Sequence, residues 1–498
     1  MTLVAQISKS ALSFLSGMIV ARGLGPAQYG NLAFLLGSFT AIRLVIDIAS
    51  GQAFFTLSAQ RPRSREFYLY YATWLAVFQI FTPLLCITLL FPQHVVDAIW
   101  QSQGRERVAL AFLATHLQYL FWPQIIQVGE VVRRTTVAQM LTIGVSLTQF
   151  SVTALLFLSG FLTLTNYLVL IVCTFSAGVI AAFFLLPRPW HPSVEPEPFR
   201  EVFSEFATFC KPLIVSMSLQ ATSGLVEVWL LQRYAGSVQQ GYFALGMQIS
   251  LVALLATTAL QNIFWREVAE LEGNGNEVRT RDVYIKTSRV LFLAACVPIA
   301  FLIAWTPQVV LILLGTKYSG AAPTIGIMFL YPLSQAILTL AIVMYSVMHE
   351  TRMLAIFSSV YALLYIVASY VLLAPPDAAL PGLGLGALAN GAKLTLFGFV
   401  QLLVWETWIQ HKKGWQSDWP HRLRLLMVLA AISLIARAAG GALLIRFAPL
   451  VAMLAATLIY LGLTLTAVLR WPAMMGVPVS FEDVMGRLMP SWMRNRNA

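Results

Sequence analysis

Apolar runs longer than the roughly 18 residues that cross a bilayer recur from one end of this 498-residue chain to the other. A soluble domain covers itself with about a quarter charged residues. Here 11% are charged and 58% hydrophobic, with a mean hydropathy of +0.76, so no water-facing surface can be assembled. Splitting the runs at Gly and Pro gives 14 spans. They begin near Leu3, Tyr29, Phe67, Val108, Val137, Leu162, Phe206, Gly241, Thr287, Pro323, Met353, Pro381, Leu423 and Pro449. The expected fold class is an all-α polytopic membrane protein of about 14 transmembrane helices.

The net charge of +11 is a matter of topology. When the loops are numbered alternately, only Arg22, Arg105, Arg107, Arg233, Lys317 and Arg446 fall on one side. The basic loops, including Arg61 to Arg65, Arg133-Arg134, Arg279 to Arg289 and Lys412-Lys413, fall on the other. The positive-inside rule places that second side, with both termini, in the cytoplasm. No nucleic-acid partner is needed to explain the charge. Cys86, Cys173, Cys210 and Cys296 lie singly in apolar spans, without metal-ligand or disulfide spacing.

Spacing repeats between the halves. Arg22, Gly25, Gln28, Gly30 and Ala33 match Arg233, Gly236, Gln239, Gly241 and Ala244 at one constant offset. Each copy ends an apolar segment with an arginine, makes a glycine-marked turn and starts the next, as in a duplicated membrane unit. Six spans separate equivalent positions, so the halves share one orientation. The expected domains are residues 1–186, a six-helix lobe; 187–205, a proline-rich cytoplasmic linker; and 206–410, a second lobe pseudo-symmetric with the first. An extra helix pair at 411–471 and a cytoplasmic tail at 472–498 follow.

Polar side chains inside the spans are the candidate functional residues, because a charge at mid-bilayer costs about 2.5–3.5 kcal/mol and turns towards a partner or a cavity. Arg43 and Asp47 share a helix face with Thr40 and Ser50, as a self-neutralising pair or as a cavity lining. Lys9, Ser13, Ser16 and Gly17 form one stripe; Ser216, Gln220, Ser223, Gly224 and Glu227 form its counterpart at the repeat's offset. Lys393 either lines a cavity or snorkels; His116 reads as a packing residue, and Arg437 as a snorkelling one. No nucleotide loop, nucleophile elbow or metalloprotease pair occurs, so no enzyme, cofactor or metal is expected.

Val20-Ala-Arg22-Gly-Leu-Gly-Pro-Ala-Gln-Tyr-Gly30, with Asp47 and Gly51 beyond it, resembles the opening of bacterial polysaccharide biosynthesis flippases. These belong to the multidrug/oligosaccharidyl-lipid/polysaccharide exporter superfamily. Gly241-Tyr-Phe-Ala-Leu245, Gly315-Thr-Lys-Tyr-Ser-Gly-Ala-Ala-Pro323 and Pro381-Gly-Leu-Gly-Leu-Gly-Ala387 resemble later landmarks in the same order. The resemblance implies two lobes in a V around a central cavity, and alternating-access transport of undecaprenyl-pyrophosphate-linked oligosaccharide across the bacterial inner membrane. Glycan polymerase and glycosyltransferases would be its partners. Arg22 and Arg43 match the pyrophosphate-holding positions of the related lipid II flippases, with Arg233, Lys393 and Gln220 as further substrate contacts. Asp47 and Glu227 are candidates to couple transport to a proton or sodium ion. Rival readings are a multidrug or cation antiporter, which needs a carboxylate-dominated cavity, and a non-transporting scaffold for glycan assembly.

Overall fold

The computed structural model describes residues 2–190, 194–254, 264, 267–272, 275–445 and 448–475. The expected tail with Arg487, Arg494 and Arg496, together with Arg266, Arg446 and part of the linker, lies outside them. No strand occurs among the described residues, and 11 helices are long and apolar enough to cross a membrane. Two of these each carry two of the expected spans. Thr2–Asp47 is a pair of helices meeting at Gly25, and Phe199–Leu251 breaks at Gly236. The remaining expected span is Arg105–His116 continuing through Leu117–Phe121 into Trp122–Val131, too polar to stand out by hydropathy. The chain is thus an all-α, multi-pass membrane protein.

The two repeat glycines at the breaks have the same backbone, φ 74° and ψ 170° at Gly25 and φ 84° and ψ 171° at Gly236. Nothing crowds either Cα, so the left-handed conformation alone demands glycine there. Pro26 then sits at the first position of the new helix, where its missing N–H costs nothing. Gly30 and Gly241 are glycine for the opposite reason. A Cβ on Gly30 would lie 1.7 Å from the Ser237 carbonyl oxygen, and one on Gly241 would lie 2.5 Å from that of Pro26. The two copies of the repeat therefore touch backbone to backbone.

The chain groups into two compact units, Met1–Ala244 with Ser358–Asn390, and Leu245–Phe357 with Gly391–Ala498. In the first, the helices of Thr2–Asp47 pack on Thr135–Leu158, Ile214–Leu230 and Arg105–His116. His116 is fully buried there; its Nδ1 meets the Phe112 carbonyl at 2.9 Å and its ring lies 4.0 Å from that of Phe112, a packing role. A charged clamp holds the linker at one end of this unit. Buried Arg63 donates to the Leu57 carbonyl and to Glu197, and its guanidinium lies over the Phe67 ring. Burial would raise the Glu197 pKa, but the Ser64 N–H and Arg63 outweigh it and hold the carboxyl below its ordinary value.

In the second unit, Glu277–Ala304 packs against Tyr331–Val347 and against Trp419–Leu444, the first helix of the extra pair. Arg422 forks onto Glu406 at 2.6 and 2.7 Å and onto Ser288 at 2.8 Å, while the Tyr284 hydroxyl donates to Glu406 at 2.9 Å. All four side chains are buried. Ser433 and Tyr460 donate to the Ala300 and Val297 carbonyls, and Gly440 lets the Trp305 ring approach. The Arg437 guanidinium lies 4.6 Å from the Trp305 ring centre, with Nη1 buried. The extra helices are part of the unit's core.

Two outcomes test this packing. Gly30→Ala should lower the melting temperature in detergent by an overpacking cost on the order of 1–3 kcal/mol or more, while Gly144→Ala, with open space at its Cα, should not. Arg422→Met or Glu406→Leu alone should cost about 3–5 kcal/mol through the buried charge left behind. The two together with Tyr284→Phe should recover most of it, as read by the same melt.

Candidate functional site

The helix carrying Arg43 and Asp47 ends on a strained corner. Ile48 and Ala49 have φ of 47° and 62°, a conformation unfavourable for a β-branched residue, before Ser50–Gln60 begins. Asp47 holds the corner together. Its Oδ1 accepts from Ser50 Oγ at 2.6 Å, from the Gly51 N–H at 3.2 Å and from Gln79 Nε2 at 3.3 Å. Trp74 and Gln79 donate in turn to Ser50 Oγ. A carboxylate at the first N–H groups of a helix is favoured by the helix dipole, so the sequence places an acid here for a local structural reason.

Arg43 and Asp47 do share a face one turn apart, yet no hydrogen bond or ion pair joins them. Asp47 is turned towards the corner, and Arg43 Nε is buried without a hydrogen-bond partner. Tyr119 lies within electrostatic reach of Arg43. That tyrosine and Gln118 sit on a widened π-helical turn, Leu117–Phe121, which shifts the facing of the side chains beyond it.

A cavity of about 390 Å³ opens inside the first unit at this point. Its wall takes Lys9, Ser13 and Ser16 from the first helix, the stripe expected from the sequence. The other walls come from the segment around Tyr119 and Trp122, from Thr135–Leu158 and from Leu164–Leu185. Sequence reasoning missed most of this lining because it followed formal charge. The available signal was uncharged: Gln118, Gln127, Gln139 and Gln149 recur in spans where an amide is nearly as conspicuous as an ion.

The remaining predicted residues are distributed. Arg22 and Arg233 are exposed, each three residues before its left-handed glycine, and Arg233 donates to Gln101 at 3.4 Å. Asn31 accepts from Gln103 and Gln232, which ties that end of the first unit together. Gln220 is exposed, and Glu227 is half-buried and accepts from the Tyr365 hydroxyl. Lys393 is buried and belongs to the second unit. Lys9 is the cation in the cavity wall; Arg43 is not among the lining residues but lies within electrostatic reach of one of them, Tyr119.

No protein-family model and no curated protein matches this sequence. Solved structures do match in fold. A lipid II flippase MurJ in an inward closed conformation aligns over 93% of this chain and 98% of its own, with a TM-score of 0.67 at 13% identity. An inward-facing multidrug resistance MATE family transporter of the MOP superfamily aligns over 83% and 100%, with 0.56 at 15%. A MOP superfamily transporter from Pyrococcus furiosus, described as having a binding pocket of reversed polarity, aligns over 82% and 94%, with 0.50 at 14%. The fold is that of MOP-superfamily transporters, flippases and multidrug exporters alike.

Asp47→Asn keeps acceptor oxygen at the corner and should leave the melting temperature near wild type. Asp47→Ala should lower it by the cost of a lost helix cap, about 1–2 kcal/mol. Loss of transport in Asp47→Asn at an unchanged melting temperature would assign the charge itself to ion coupling.

Proposed function

We propose that this protein is a flippase that moves polyprenyl-pyrophosphate-linked oligosaccharide across the bacterial inner membrane by alternating access. The glycan would serve O-antigen, capsule or exopolysaccharide assembly. The observation that carries this reading is Arg43, whose Nε is buried without a hydrogen-bond partner within electrostatic reach of Tyr119, a residue of the polar cavity's wall. A guanidinium kept short of hydrogen bonds in a low-dielectric setting suits phosphate oxygens, which accept from its planar fork. Arg22 and Arg233 end equivalent helices and would guide the same anion, with Gln220 of the same unit as a further contact. The polyprenyl tail would remain in lipid.

Basic loops concentrated on one side support cytoplasmic termini and entry of cargo from that side. Glu227, which accepts from the Tyr365 hydroxyl, and Asp47 would be the carboxylates that bind a coupling proton or sodium ion. Glycosyltransferases and a glycan polymerase would act before and after the step. The reading also draws on the likeness to a lipid II flippase over 93% of the chain, against 83% for the multidrug transporter. A multidrug exporter of cations would call for an excess of carboxylate, and the cavity wall holds one, Glu130, beside one lysine.

In cells that depend on this protein for glycan export, Arg43→Ala should reduce export at least tenfold at normal protein levels, and Arg43→Lys should restore part of it. Accumulation of lipid-linked glycan on the cytoplasmic face is the readout. Undiminished export together with raised drug sensitivity would transfer the protein to the multidrug class.

A further inference from the structure

The cavity in the first unit differs chemically from the cationic contacts assigned to pyrophosphate. Four amides, Gln118, Gln127, Gln139 and Gln149, face it, and each can donate and accept. Ser13, Ser16, Thr142, Ser146 and Tyr119 add hydroxyls. Trp122 and Phe175, whose rings meet edge to face at 6.0 Å, supply apolar wall. Lys9 and Glu130 are the two charged side chains in the lining, and their charges cancel.

We propose that this hollow is a saccharide subsite, which holds uncharged, polyhydroxyl sugar rings of the transported glycan. The inference rests on the flippase reading and gives the glycan its own place beside Arg43. A sugar hydroxyl donates one hydrogen bond and accepts others, the pattern a glutamine amide returns, and the C–H face of a pyranose packs on an aromatic wall. An organic cation would lack a net negative lining, and a phosphate would lack any arginine in the wall.

Gln127 gives an independent indication. The residue lines the hollow, and its Oε1 is buried without a hydrogen-bond partner. Such an amide carries an unmet acceptor, which a sugar hydroxyl would meet once the side chain turns into the hollow. Tyr119 lies in the middle of the lobe's helices yet is 44% exposed, because its ring opens on the hollow. The volume of about 390 Å³ falls within the roughly 300–1,000 Å³ typical of small-molecule sites. Gln139 and Gln149, ten residues apart on one helix, set its depth at about 15 Å.

The test is saturation-transfer NMR on the full-length protein in nanodiscs. The probes are free hexoses, N-acetylhexosamines and their disaccharides, with tetraphenylphosphonium and inorganic pyrophosphate as comparators. At least one sugar should receive saturation from the protein and lose affinity at least tenfold in both Gln127→Leu and Gln149→Leu. In Arg43→Ala the sugar signal should persist. Ser146→Phe, which fills the space without removing an amide, should also abolish it, and each variant is accepted only with a wild-type melting profile. If no sugar binds, or if tetraphenylphosphonium alone binds and is displaced by Ser146→Phe, the saccharide subsite is wrong. Should glycan export in cells still depend on Arg43 in that event, the flippase reading stands without it.

Discussion

Hydrocarbon offers no hydrogen bonds, and that single fact governs this molecule. Each polar group drawn into the slab must be answered from within the chain. Most of them are: Arg422 by Glu406, Ser288 and the Tyr284 hydroxyl donating to the same carboxylate; Asp47 by the N–H and hydroxyl groups of the next helix; Glu227 by Tyr365. Some keep a buried atom without a partner, among them Arg43 Nε, Arg437 Nη1, the Asn390 amide and Gln127 Oε1, the last from a residue that lines the hollow.

Backbone conformation sets where those groups lie. Left-handed glycines at Gly25 and Gly236 end one helix and begin the next without a loop, so the arginines preceding them stay at equivalent helix ends. Gly30 and Gly241 then bring the two copies within backbone contact. The strain at Ile48 and Ala49 is held by the hydrogen bonds around Asp47, which turn that carboxylate to the corner and leave it without a direct ion pair to Arg43. A widened turn at Leu117–Phe121 sets Tyr119 and Gln118 into the wall opposite. Of these local irregularities, each with its own cause, the widened turn is the one that lines the polar space.

The chemistry of that space separates two tasks. Anion recognition needs a fork of fixed positive donors, which Arg43 would supply in the proposed reading. Recognition of hydroxyls needs groups that both give and receive, without net charge that would favour counter-ions, and the glutamines meet this requirement. A lipid-linked glycan carries both chemistries in one molecule, whereas an organic cation carries neither. The fold by itself does not make this distinction, since flippases and multidrug exporters share it.

The sequence alone determined whatever depends on local composition. Hydropathy located the helices, and a constant offset the two equivalent glycine breaks, because helix length and left-handed φ are each specified by a few neighbouring residues. It also marked Lys9, Ser13 and Ser16 as one face, since helical spacing is local. Tertiary structure decided which polar groups have partners. Asp47 bonds to Gln79, 32 residues away, Arg437 lies on Trp305, and the glutamines of separate helices converge on one hollow. Hydrogen-bond satisfaction is a property of what surrounds a side chain in space, and residues far apart in the chain supply those surroundings only once the helices have packed.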